Sequence, residues 1–179
     1  MKLLIVLSTL LFAIPFVVVG QINKPALPQS IRSTLDSHFQ GWRFSQSDDD
    51  VKSHFADRLP SAQPNLITGD FDGNRQVDFA MLVEHKNFNE PGKTFTHLVE
   101  TLVFLKKGVS YKLIRLQEPS PSSPEFYLTL ARKGDEGQNL HTEKRFRYPN
   151  DSISTWFFEK AGGTYIWKKG RFIYITESD

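Results

Sequence analysis

Polarity along the chain changes character three times. Leu3 to Val19 is almost unbroken apolar sequence behind the single charge of Lys2, with Pro15 inside it, and it ends at Val18-Val19-Gly20. A run of about 17 apolar residues is at the short end for crossing a bilayer. A short positive start, an apolar stretch and small residues at its end suit a signal peptidase. Residues 1–20 are therefore predicted to be a signal peptide, cleaved after Gly20, with the mature chain exported to the periplasm or secreted. Residues 21–29 (QINKPALPQ) carry two prolines and no periodicity, so they read as an extended linker to a single folded domain over 30–179.

From Ser30 the apolar positions take helical spacing. Ile31, Leu35, His38 and Phe39 share one face, Ser30 is placed as an N-cap, and Gly41 follows as a stop. Trp42 to Ser45 predicts a short strand. A second short helix is predicted behind Ser47-Asp48-Asp49-Asp50, with Val51, Phe55 and Leu59 on its inner face and Pro60 ending it. Acidic residues at a helix start complement the backbone dipole. Consecutive carboxylates point in different directions, so this triplet is read as a cap rather than a metal site.

After Asn65 the texture becomes β. Strands are predicted over 65–69, 77–85, 97–105, 109–116, 126–131, 140–147, 152–158, 163–168 and 171–176, separated by Gly-, Pro-, Asn- and Lys-rich turns. Short connections make neighbours antiparallel, because a parallel return needs a crossover of about a dozen residues. The predicted fold is α+β: one or two N-terminal helices packed on an antiparallel β-sheet, a meander of hairpins. The Pro-Ser-rich stretch 118–124 is read as a loop inside one domain, since similar strands flank it.

Composition narrows the possibilities. The chain has 179 residues, 39% apolar and 13% aromatic with 15 Phe, which supports a packed core and excludes disorder. It has no cysteine, and so no disulfide, thiolate metal site or cysteine nucleophile. Lys and Arg total 22 against 20 acids, for a net charge of +2, and no long basic tract exists. No nucleic-acid partner is expected, and no membrane association once the signal is removed.

One segment carries chemistry. In Gly69-Asp70-Phe71-Asp72-Gly73-Asn74-Arg75-Gln76-Val77-Asp78, oxygen-bearing side chains fall at loop positions 1, 3, 5 and 9: Asp70, Asp72, Asn74 and Asp78. A hard cation such as calcium takes six to eight oxygens in an irregular shell, and the Gln76 carbonyl at position 7 offers another. Three close carboxylates repel one another without a counter-cation. Arg75 is the alternative neutralising group, in which case the segment is an ordinary acidic turn.

With the apolar run Phe79-Ala80-Met81-Leu82-Val83 behind it, this segment resembles the calcium loop of FG-GAP/VCBS repeats, found in integrin-type β-propeller blades. The resemblance covers about 15 residues and implies side-chain ligation by Asp70, Asp72, Asn74 and Asp78 and carbonyl ligation by Gln76. It departs from the pattern at position 6, normally Gly and here Arg75. Left-handed backbone at a non-Gly residue costs roughly 1–2 kcal/mol. Position 12 is Met81 where an EF-hand has Glu, so no EF-hand is present, and a weak site of roughly 10⁻⁴–10⁻³ M is expected. A single copy of the motif excludes a propeller.

The remaining candidates are weaker. His85 and His97 would face each other if their strands turned about Pro91, but no third zinc ligand is evident. Lys144-Arg145-Phe146-Arg147-Tyr148 alternates basic and aromatic residues, as a solvated strand face does. Asn150-Asp151-Ser152 is a glycosylation sequon, meaningful only in a eukaryotic host. No Walker A, G-x-S-x-G or H-E-x-x-H pattern occurs.

The signal segment, the single loop, the absent cysteines and the final aromatic hairpin together resemble a group of exported bacterial proteins. The leading expectation is a non-enzymatic exported domain with one structural calcium loop, binding a protein or envelope ligand. The alternatives are an exported metal-dependent hydrolase using Asp70, Asp72 and Asp78, and an inhibitor presenting Trp156, Phe157 and Tyr165 on an exposed sheet face.

Overall fold

The computed structural model describes residues 27–58, 62–86, 97–121 and 123–178. The expected signal segment, most of the linker, Leu59, Pro60 and residues 87–96 lie outside them. Two helices, α1 (Gln29–His38) and α2 (Asp49–Arg58), flank the short strand β1 (Arg43–Phe44). The following strands are β2 (Leu66–Gly69), β3 (Asp78–Lys86), β4 (His97–Lys107), β5 (Ser110–Arg115), β6 (Ser120–Pro121) and β7 (Phe126–Ala131). They continue as β8 (Glu136–Gln138), β9 (Arg145–Arg147), β10 (Ser152–Phe157), β11 (Gly162–Lys168) and β12 (Arg171–Ser178). No helix of the described residues is long and apolar enough to cross a membrane.

Every strand pairing among the described residues is antiparallel, and the fold is a sheet-dominated α+β. The strands do not form one meander. A first sheet runs β1-β3-β4-β5, with β2 also on β3 and β6 on β4; a second runs β12-β11-β10-β7; β8 and β9 make a separate hairpin. The central strands β3 and β4 are buried from Asp78 to Glu84 and from Val99 to Leu105, so both faces of the first sheet are covered.

Pleating decides what covers each face. Ala80, Leu82, Val99, Val103 and Leu105 pack with Phe126, Leu128, Ile153 and Tyr165 of the second sheet, which makes a sandwich core. Phe79, Met81, Val83, Leu102 and Phe104 point the other way and meet Ile31 and Leu35 of α1 and Phe39 just past its end. The helix α2 lies against the second sheet, with Val51 and Phe55 on Tyr127 and Trp156. The two helices thus cover different sheets.

Several local expectations change. Helix α1 begins at Gln29, one residue before Ser30, with Pro28 in the cap position and no side-chain cap bond. The carbonyl of Pro28 instead accepts from Ile31 and Arg32 N–H. Leu27, placed in the linker by sequence, is buried in the α1 cluster. Asp48 does cap α2, accepting from Val51 N–H at 2.9 Å.

The strand predicted over 140–147 is interrupted. Only Arg145–Arg147 is extended, pairing with Glu136–Gln138, because 139–144 closes a turn in which Asn139 accepts from Thr142 N–H. Arg145 and Arg147 are exposed while Phe146 is half-buried, the alternation of a solvated strand face.

His85 and His97 do not face each other. The register sets His85 opposite Leu98 and His97 opposite Lys86, a one-residue slip that puts the rings on opposite faces. The three rings read as one aromatic face also separate. Tyr165 is buried in the sandwich core, Trp156 packs beneath α2, and Phe157 alone is exposed.

Candidate metal centre

The pair Gly69↔Asp78 closes the β2–β3 connection, so residues 70–77 form its loop and Asp78 opens β3. Two glycines permit this shape. Gly73 has φ +78°, and a Cβ there would sit 2.7 Å from Asn150 Oδ1; a Cβ on Gly69 would sit 2.9 Å from the Phe71 ring. Arg75 adopts the left-handed backbone that its position in the motif implies, with φ 65°. Its N–H donates to Asp70 Oδ2 at 2.9 Å, which holds the strained residue in place.

The loop brings together Asp70, Asp72 and Asp78, whose ligand oxygens lie within 4.8 Å of one another. Asp78 is fully buried and works as a staple: Oδ2 accepts from Phe71 N–H at 2.9 Å and Oδ1 from Lys106 N–H at 2.7 Å. Asp72 Oδ1 accepts from Asn74 N–H, and its Oδ2 meets the Lys107 ammonium. Asn74 accepts from Gln76 N–H at 2.8 Å and donates to the Lys106 carbonyl at 2.8 Å, and its Oδ1 keeps a second lone pair. Gln76 joins through that N–H. Asn74 and Gln76 thus shape the loop, and the three aspartates make the cluster.

Two contributors were not visible in the sequence motif. Lys107, the last residue of β4, pairs with Asp72, whereas among the described residues Arg75 forms no ion pair. Asp151, from the loop before β10, accepts from Asp70 N–H and from Lys133 N–H, which ties the loop to the second sheet. Nothing local marks either residue, because each reaches the site from a segment distant in the chain.

Does this cluster fit a cation? Asp70 Oδ1 is buried with no hydrogen-bond partner among the described residues, an arrangement that costs free energy unless something fills it. Three carboxylates against one ammonium leave two negative charges, which a divalent cation would balance. Each carboxylate oxygen offers about two lone pairs, so those already bonded to N–H groups retain acceptor capacity. The residues fit a hard oxygen-seeking cation, with Asp70, Asp72 and Asp78 to hold it.

Burial pushes the Asp78 carboxyl up to about 6; the Asp72 charge adds to the shift, while the N–H bonds from Lys106 and Phe71 oppose it. In EDTA, its side-chain carbon resonance is expected to titrate near pH 6. The sign follows from the raised value: the unfolded chain loses this proton at lower pH than the folded one. Asp78 therefore favours folding most at acid pH, and that contribution fades as pH climbs from about 4 to about 6. A titration midpoint near 4 would contradict the burial argument.

Comparison with protein-family models, with curated proteins and with solved structures finds no match for this chain.

Proposed function

We propose that this is an exported, non-enzymatic domain in which the 70–78 loop holds one structural calcium ion, weakly, and whose surface serves binding. The observation that carries the calcium reading is the buried, unpartnered Asp70 Oδ1 on one of three clustered carboxylates. Backbone donors from the loop and from the end of β4 close in on those carboxylates. Such enclosure suits an ion that ties elements together, whereas a catalytic ion keeps a substrate-facing position open. The export reading rests on residues 1–20.

Thermal melting in EDTA and in millimolar calcium tests the site. An ion bound only by the native state adds about 1.4 kcal/mol at ten times Kd, and each kcal/mol raises the midpoint by about 2–4 °C at this size. Asp70→Asn should remain folded and lose the calcium response. Arg75→Gly relieves left-handed strain of about 1–2 kcal/mol against a glycine entropy cost of about 0.5–1 kcal/mol, so a net gain is expected in EDTA as well. Identical wild-type midpoints with and without calcium would remove the metal from the proposal.

A further inference from the structure

The outer face of the second sheet carries a groove that the calcium loop does not touch. Pleating sends Tyr165, Trp167 and Phe172 into the sandwich, so Ile166, Ile173 and Ile175 face outward on β11 and β12. The β8–β9 hairpin stands beside them and contributes Phe146, forming an apolar groove of about 630 Å³.

The rim is cationic. The tight β11–β12 turn, with Lys169 at φ 52° and Gly170 at φ 82°, gathers Lys168, Lys169 and Arg171 at one end, and Lys144 lines the hairpin side. Among the described residues none of these four forms an ion pair. The neighbouring acids are engaged elsewhere, Glu136 with Arg147 and Glu177 with the Tyr148 hydroxyl. The groove itself is lined by no acid.

We propose that this groove binds a single-chain anionic amphiphile, a long-chain carboxylate. Its tail lies along Ile166, Ile173, Ile175 and Phe146, and its head group is held by Lys168, Lys169 and Arg171. Apolar floor and unneutralised cationic rim are the two halves of that chemistry, and the volume falls in the range of about 300–1,000 Å³ found for small-molecule sites. Recess favours one chain over a bilayer surface: Ile166 is 6% exposed and Phe146 half-buried, whereas a membrane-docking patch projects its apolar groups.

Calorimetric titration of the protein with dodecanoate below its micelle concentration, with amide shift mapping by NMR, tests the proposal. Saturable binding is expected, with shifts at Lys168, Ile173 and Ile175. Dodecanol should bind roughly tenfold more weakly, as should dodecanoate to the exposed-turn variant Lys168→Glu/Lys169→Glu, a loss equivalent to one decade in Kd. Ile173→Asn should weaken both ligands, and the turn variant keeps the test decisive if that one unfolds. Absence of heat and shifts, equal affinity for acid and alcohol, or shifts confined to another face would each overturn the proposal. So would binding to phosphatidylglycerol vesicles with none to the monomeric acid, which would make the face a membrane contact.

Discussion

Phe71→Ala is expected to cost about 3–5 kcal/mol of stability, the range for removing a large aromatic ring from a core. Phe71 sits at position 2 of an acidic loop, where the sequence around it reads as surface, yet it is completely buried. Its ring belongs to the sandwich cluster with Ile67, Ala80 and Leu105, and its N–H donates to Asp78. The substitution therefore opens a cavity and releases the loop at once. Urea unfolding in EDTA measures the core loss without any ion, and Phe71→Leu should cost less than about 1.5 kcal/mol because it keeps most of the volume. The calcium response should shrink in Phe71→Ala beyond what lost stability explains, since the loop is no longer anchored. A cost below about 1 kcal/mol would show that the ring is not a core residue.

The second large effect lies on the β3–β4 ladder. Glu100 is fully buried on the α1 side, with His85 Nε2 at 2.7 Å and Arg115 Nε at 3.2 Å from its two oxygens. Phe39, just past the end of α1, closes over this group, its ring in edge contact with His85 and beneath the Arg115 guanidinium. The double variant His85→Leu/Arg115→Met strips both partners from a carboxylate that cannot reach water. It is expected to cost about 3–5 kcal/mol, as breaking buried ion pairs does. Adding Glu100→Leu to that background should recover most of the loss, because replacing a whole buried pair by apolar groups is often neutral or better. Chemical denaturation of the double and triple variants decides the matter. A triple variant no more stable than the double would mean that packing, and not the stranded charge, sets the cost.

How much of this was legible from sequence varies with the range of the forces involved. Asp48 as a cap, the places of β3 and β4 in the chain, and the final hairpin follow from contacts within a few residues, and they stand in the structure to within two residues. The loop aspartates were legible because their spacing is local. The division into two sheets was not. Asp78 to Glu84 is buried on both faces, so no polar alternation says which side meets α1 and which meets the second sheet. Lys107 and Asp151 were missed because they enter the site from segments far along the chain. The His85–His97 expectation failed on a register offset of one residue, which periodicity within a strand does not constrain.

That ladder has a consequence for how the chain reaches its fold. Glu84 and Glu100 lie on opposite faces of the same strand pair. Each takes a histidine from the opposing strand, His97 for Glu84 and His85 for Glu100, and an arginine from the next strand outward, Arg43 or Arg115. Sliding β3 past β4 by one residue would turn Glu84 toward α1 and misplace every partner, and sliding by two would keep the faces but strand the charges. Apolar pairings such as Ala80 with Val103 and Met81 with Leu102 tolerate several alignments nearly equally well. The two carboxylates remove that degeneracy, so a misaligned hairpin is penalised on both faces before α1 or the second sheet can dock on it.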